Sequence, residues 1–396
     1  MKWELEFYNM GFRKMKGARL FNGWELSDEE LVLITDESGT IHEILPASEA
    51  GDEIEEYEGI LSPGFVNCHC HLELSHLRGQ LPPHTGLVDF VLNVVQLRHA
   101  PDEVVLEAIH AAESEMLAAG IVAVGDICNN ISSLSQKTKG RMYYHNFVEV
   151  SGFDPAIAES RFRQSVELFR AFARYYSIPI GSNSIVPHAP YSVSDELWKR
   201  IINFPGNRLL CVHNQESFEE DRWFREKSGN FSELFARMQL DANFFSATGT
   251  SSLQSFLPKF KRNQSVILVH NVYTTEEDLR AAGEQTGLQL FWCLCPNANM
   301  YIENRLPDID LFRRSGCSLV FGTDSLASNT QLSILEEIRT IQQHFPHIPA
   351  AELLKWGTVN GAHALHLDAI LGSFEPGKRP GVLHIAPDLS SCRRLI

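Results

Sequence analysis

No apolar run in the 396 residues approaches the roughly 20 that a membrane-spanning helix needs. The opening MKWELEFYNM alternates charge and bulk, unlike a secretory leader. Basic residues are scarce: 34 Lys and Arg stand against 50 Asp and Glu, for a net charge of −16. So acidic a surface repels polyanions, which argues against nucleic-acid and membrane partners but leaves room for one anionic substrate in a local pocket. The eight cysteines lack the regular spacing of a disulfide framework. They read as reduced, buried thiols, and the expected location is the cytoplasm. There is no internal repeat and no low-complexity linker.

What is present is a rhythm. Residues up to Gly59 read as short strands and turns, with LVLITDESGTIHEILP forming a hairpin about Asp36 to Gly39. From Leu61 onward, short apolar runs alternate with helical stretches. The eight runs are PGFVNCHCH, Gly120 to Ile127, Arg141 to Val150, Ile178 to Pro190, Arg208 to Glu216, Ser265 to Val272, Leu288 to Pro296 and Cys317 to Ser325. Most are apolar on both faces, as strands buried in a parallel sheet are. Helical patterns lie between them, over Pro101 to Ala119, Ala156 to Tyr176, Asp195 to Phe204, Thr275 to Thr286 and Gln331 to Phe345. The expected fold is α/β, a (β/α)8 TIM barrel over residues 61–366. An open doubly wound sheet is the alternative, but no run is followed by a Gly-x-Gly-x-x-Gly turn. The carboxyl-terminal VLHI should return to pair with the amino-terminal strands. Residues 1–60 and 367–396 then form a small β-sandwich domain.

The chemistry concentrates at the carboxyl ends of the runs, where barrels of this kind place their sites. On a strand, residues two apart share a face, so His69 and His71 project together while Cys68 and Cys70 pack on the other side. Taken alone, His-x-His also fits two structural histidines at a strand end. However, the fourth run leads into His188, the fifth ends in His213 with Glu216 three residues on, the sixth ends in His270 and the eighth in Asp324. His69, His71 and His213 supply three neutral nitrogens and Asp324 a carboxylate oxygen, the ligand set of one divalent ion. Such an ion makes water acidic enough to act as a nucleophile near neutral pH. Asp324 is placed to take the proton, Glu216 to shuttle a proton to the substrate, and His270 to orient water or hold developing charge.

These residues resemble the amidohydrolase superfamily in its mononuclear deaminase branch. The matching motifs are PGFVNCHCHLE, VPHAP, CVHNQE, LVHN, LCPNAN, GTDSLASN and GAHALHLDAILGSFEPGKRPG, in family order from Pro63 to Gly381. The resemblance implies a barrel with a small β-sandwich, metal ligands at His69, His71, His213 and Asp324, catalytic Glu216 and His270, and substrate contact by His188. Zinc is expected, with iron or manganese as alternatives. Binuclear relatives carry a lysine after the fourth strand. None lies between Ile178 and Pro190, which favours one ion. Ala298-Asn299 replaces the usual Ser-Asn, and Pro380-Gly381 the usual Ala-Asp.

Glu73 followed by Arg78-Gly79 resembles the aminodeoxyfutalosine deaminases more than the guanine enzymes. Glu73 then binds substrate hydroxyls, or it caps the next turn. Glu149 is a similar candidate, and Asn299 can bond substrate or serve a turn. Nothing separates Asp126 from a loop-capping residue. The expected activity is hydrolytic deamination of a purine nucleoside derivative or related N-heterocycle with release of ammonia. The alternatives are hydrolysis of a cyclic amide or halogenated ring at the same site, or a binding protein of the same fold. A small molecule is the expected partner, and a homodimer is admitted.

Overall fold

The computed structural model describes residues 11–175 and 183–396. All eight apolar runs carry a strand: β1 (Phe65–Cys70), β2 (Ile121–Cys128), β3 (Tyr143–Val150), β4 (Asn183–Pro187), β5 (Leu209–Asn214), β6 (Ser265–His270), β7 (Gln289–Leu294) and β8 (Ser318–Phe321). Residues 178–182 of the fourth run, like residues 1–10, lie outside the described part. The strands form two four-stranded sheets in sequential order, β1 to β4 and β5 to β8. Every residue of β1, β2, β5 and β6 is buried. Burial on both faces explains why these runs show no alternation of polarity.

The two sheets meet through backbone bonds. The His213 N–H donates to His188 O at 3.0 Å, linking the end of β4 to β5. On the other side, the N–H groups of Thr323 and Asp324 both donate to His69 O, at 3.0 and 3.1 Å, bringing the end of β8 against β1. The result is a distorted (β/α)8 barrel. Helices occupy the expected stretches, at Asp102–Ala118, Ala158–Tyr175, Asp195–Asn203, Glu276–Gly283 and Ile334–His344.

Strands from both ends of the chain build a further, seven-stranded sheet. Leu31–Asp36 and Ile41–Pro46 pair antiparallel as the expected hairpin. The Asp36 carboxylate closes its turn by accepting the N–H groups of Ser38 and Thr40 at 2.8 and 2.9 Å. Val382–Ile385 pairs antiparallel with Ile54–Pro63. Met15, Leu20, Leu33, Leu61 and Val382 form a buried cluster on this sheet.

By internal contacts the chain divides into two compact units. One takes the described residues up to Asn67 with Glu115–Ala123 and Ser333–Ile396, and the other takes Cys68–Ser114 and Val124–Leu332. All the side chains of the expected site belong to the second. Among the described residues, no helix is long and apolar enough to cross a membrane.

Candidate metal centre and active site

His69 and His71 emerge together at the end of β1, as the strand periodicity requires, while Cys68 and Cys70 are fully buried. The two Nε2 atoms lie 3.1 Å apart, with the rings nearly perpendicular. His213, from the end of β5, brings its ring centroid to 4.9 Å from that of His69 and 5.5 Å from that of His71. Asp324 follows β8 with a φ of +55°, a left-handed conformation that aspartate tolerates better than most residues. That turn aims Oδ1 at His69 Nε2 and His71 Nε2, at 3.6 and 3.4 Å. Oδ2 accepts the Ser328 hydroxyl, so one carboxylate oxygen is tied back and the other faces the imidazoles. His69, His71, His213 and Asp324 each offer one ligand atom, and these atoms all lie within 4.8 Å of one another.

The protonation states suit a cation. His213 Nδ1–H donates to His188 O at 2.8 Å, which leaves Nε2 with its lone pair. Burial pushes the pKa values of His69, His71 and His213 below the ordinary imidazole range. Burial acts to raise Asp324, but the nearby imidazoles of His69, His71 and His270 hold it well below the usual carboxylate range. Three neutral imidazoles and one carboxylate form a mononuclear site for a divalent ion, with the donor chemistry that suits zinc. A second grouping, Glu149, His188 and His213, shares His213. Since the Nδ1–H of that ring is spent on His188 O, His213 has one lone pair for one ion.

Glu216 stands beside this centre because the chain turns sharply after β5. Gln215 has a φ of +46°, and the Glu220 carboxyl accepts the N–H groups of Gln215 and Glu216 at 3.1 and 3.3 Å. Burial, and then the charges of Asp324 and Glu303, push the Glu216 pKa well above its usual range. His270 Nδ1–H donates to Asn299 Oδ1 at 2.8 Å, which turns its Nε2 towards Glu216 Oε1 at 3.6 Å. Asn299 therefore stands behind His270, and it is not among the residues lining the cavity. Its buried Nδ2 has no hydrogen-bond partner.

The cluster opens into a cavity of about 350 Å³. His188 lines it. The Ser192 hydroxyl donates to Ala189 O at 3.0 Å and so accepts from His188 Nδ1–H at 2.8 Å, leaving Nε2 as an acceptor. Glu73 and Glu149 line it too, and Asn129 links them. Glu73 Oε2 accepts the N–H groups of Asn129 and Asn130 at 3.0 and 3.2 Å, while Asn129 Nδ2 donates to Glu149 Oε1 at 3.0 Å. Glu73 thus holds the loop after β2, and burial raises its pKa to about 7. Glu149 Oε2 is buried without a hydrogen-bond partner. Leu87, Phe90, Val94, Phe153 and Phe235 give the wall apolar surface, and Arg98 and Arg161 line the same cavity. Sequence reasoning passed over Asn129, Glu220 and Ser328. Of these, only Ser328 lay within a motif already singled out, GTDSLASN.

The model of the amidohydrolase family matches residues 60–388. The chain is similar to the adenosine deaminase of Helicobacter pylori, with 26% identity over 81% of this chain and 77% of that protein. It is equally similar to the 5-methylthioadenosine/S-adenosylhomocysteine deaminase of Teredinibacter turnerae, 26% identical over 87% of this chain and 77% of the relative. Among solved structures it resembles the aminofutalosine deaminase of Helicobacter pylori in complex with methylthio-coformycin. There the TM-score is 0.80 and the identity 24%, covering 94% of this chain and 92% of the other.

Proposed function

The chain belongs to the amidohydrolase family, and from that premise we propose that it deaminates adenosine-like nucleosides carrying a bulky substituent on the sugar. One observation carries the reading. The single-ion cluster and the proton-holding carboxyl of Glu216 share one cavity, whose lining is mostly apolar and also carries Arg98 and Arg161. The family's chemistry supports hydrolysis, and the names of the two sequence relatives support a purine nucleoside.

His69, His71, His213 and Asp324 would hold the ion, which when bound makes water nucleophilic near neutral pH. The chain's own groups then divide the proton work. Glu216, neutral in its buried setting, donates its proton to the ring nitrogen beside the amino-bearing carbon. Asp324 takes a proton from the attacking water and returns it to the departing amine. The new C–O bond replaces the C–N bond, the second proton of the water passes back to Glu216, and water plus aminopurine becomes oxopurine plus ammonia. His270, oriented by Asn299, holds the attacking oxygen in line. Glu149 Oε2 and His188 Nε2 are free to take sugar hydroxyls, and Glu73 acts beside them through the loop it holds.

The test is a kinetic comparison of aminodeoxyfutalosine, S-adenosylhomocysteine, methylthioadenosine, adenosine, guanine and cytosine with the zinc-loaded protein. Ammonia release and the ultraviolet change of the purine ring are read together. The substituted nucleosides should show kcat/KM values at least tenfold above adenosine, and the free bases none. Absence of ammonia from every adenine nucleoside would overturn the proposal, and chloride release or ring opening in parallel assays would replace it. The acidic charge balance and eight free thiols further support a cytoplasmic protein with no nucleic-acid partner. A division into residues 1–60 with 367–396 and residues 61–366, and a homodimer, complete the reading. Limited proteolysis and sedimentation test the last two.

A further inference from the structure

Lys137 and Asp126 are both fully buried, with Nζ 2.5 Å from Oδ2. Burying two charges is costly, and an apolar pair of similar size often serves stability as well or better. Stability alone is therefore a weak reason for such a pair. The other Asp126 oxygen suggests a stronger one. Oδ1 accepts the N–H of Leu72 at 2.8 Å, and Leu72 directly follows His71.

His71 needs such support. It lies one residue beyond β1, where the ladder has ended, and it opens the 3-10 turn Leu72–Leu77 without a capping bond from its side chain. The first N–H groups of such a turn have no partner within it. Asp126, reaching across from β2, supplies the missing acceptor. Lys137 keeps Asp126 in place: Nζ also donates to Asn146 Oδ1 at 2.7 Å and to Cys128 Sγ at 3.2 Å. The rings of Tyr144 and Phe172 stand 5.2 and 5.0 Å from Nζ. The ammonium is thus fixed on several sides and cancels the carboxylate charge.

We propose that Lys137 and Asp126 are a positioning pair, which fixes the peptide after His71 through the Leu72 N–H and so presets the His69–His71 pair for its cation. This rests on the metal-centre reading alone and does not depend on the substrate.

Two double variants test it. Lys137→Met with Asp126→Leu removes both charges and the acceptor. Lys137→Met with Asp126→Asn removes both charges but keeps an oxygen for Leu72. Zinc affinity is measured by competition with a chromophoric chelator, and the urea midpoint on the metal-free proteins. The Leu variant should bind zinc about 10 to 100-fold more weakly than wild type, the usual range for groups that orient a metal ligand. The Asn variant should stay within about threefold of wild type, with both midpoints alike. Equal affinity in the two variants would overturn the proposal and leave the pair a structural one. If neither variant folds, hydrogen exchange of the Leu72 amide in metal-free wild type decides. Protection matching the barrel strands supports the proposal, and exchange at loop rates refutes it.

Discussion

Glu216→Gln separates proton transfer from folding more cleanly than any other single change in this site. The substitution keeps shape and volume, and Glu216 is not among the four ligands. Loss of a general acid costs about 10² to 10⁴ in rate, or roughly 3 to 5.5 kcal/mol of transition-state stabilisation at about 1.4 kcal/mol per tenfold. Metal content should stay at one ion per chain.

Stability should respond in the opposite sense to activity. The folded pKa of Glu216 is raised from 4.5, chiefly by burial. A carboxyl raised in this way contributes stability below its unfolded pKa, and that contribution is lost as pH rises through the folded pKa. Glutamine carries no such proton. The metal-free variant should therefore gain on wild type as pH rises above about 4.5. Urea unfolding in the presence of chelator measures the gap, and zinc-loaded kcat measures the catalysis. Turnover within threefold of wild type would refute the acid role, and a gap that is flat with pH would refute the buried neutral carboxyl.

His213→Ala removes one of three nitrogens and should reduce bound metal well below one per chain by elemental analysis. A full equivalent would deny β5 its ligand. Asn299→Ala leaves the buried Nδ1–H of His270 without its acceptor, which should cost about 1 to 3 kcal/mol, split between stability and kcat. KM should move little, because Asn299 does not line the cavity. On the terminal sheet, the Arg13 guanidinium bonded to Glu55 lowers that carboxyl to about 2. Its contribution is present above the unfolded pKa and is lost as pH falls from about 4.5 towards 2. Because the pair is partly exposed, Glu55→Gln should cost under about 1 kcal/mol at pH 7, with the difference closing below pH 3 in urea titrations.

Several parts of the molecule were legible in one dimension because their cause is local. Strands buried on both faces must be apolar throughout, so the eight runs announced a parallel barrel. A period of two puts His69 and His71 on one side whatever surrounds them. Asp36 closes its hairpin turn with bonds to residues two and four positions along. The motif order from Pro63 to Gly381 assembled the four ligands before any distance was known.

Other parts depend on long-range contact. Asn299 sits in a motif that suggested substrate binding, yet only the packing of the helix Pro296–Ile302 after β7 against the end of β6 places it behind His270. Asp126 could not be told from a loop-capping residue, and nothing in the sequence pointed to Lys137. Their union follows from the four-residue helix Leu134–Lys137, which brings Lys137 Nζ to Asp126 and Cys128 of β2. Periodicity and spacing, which act over a few residues, therefore determined the fold class and the chemical groups at the strand ends, while the reaction family came from the resemblance of the ordered motifs. The tertiary structure alone decided which oxygen and nitrogen atoms are spent on one another and which are left to face the cavity. Hydrogen-bond pairing inside a barrel is settled by distances that no spacing along the chain encodes.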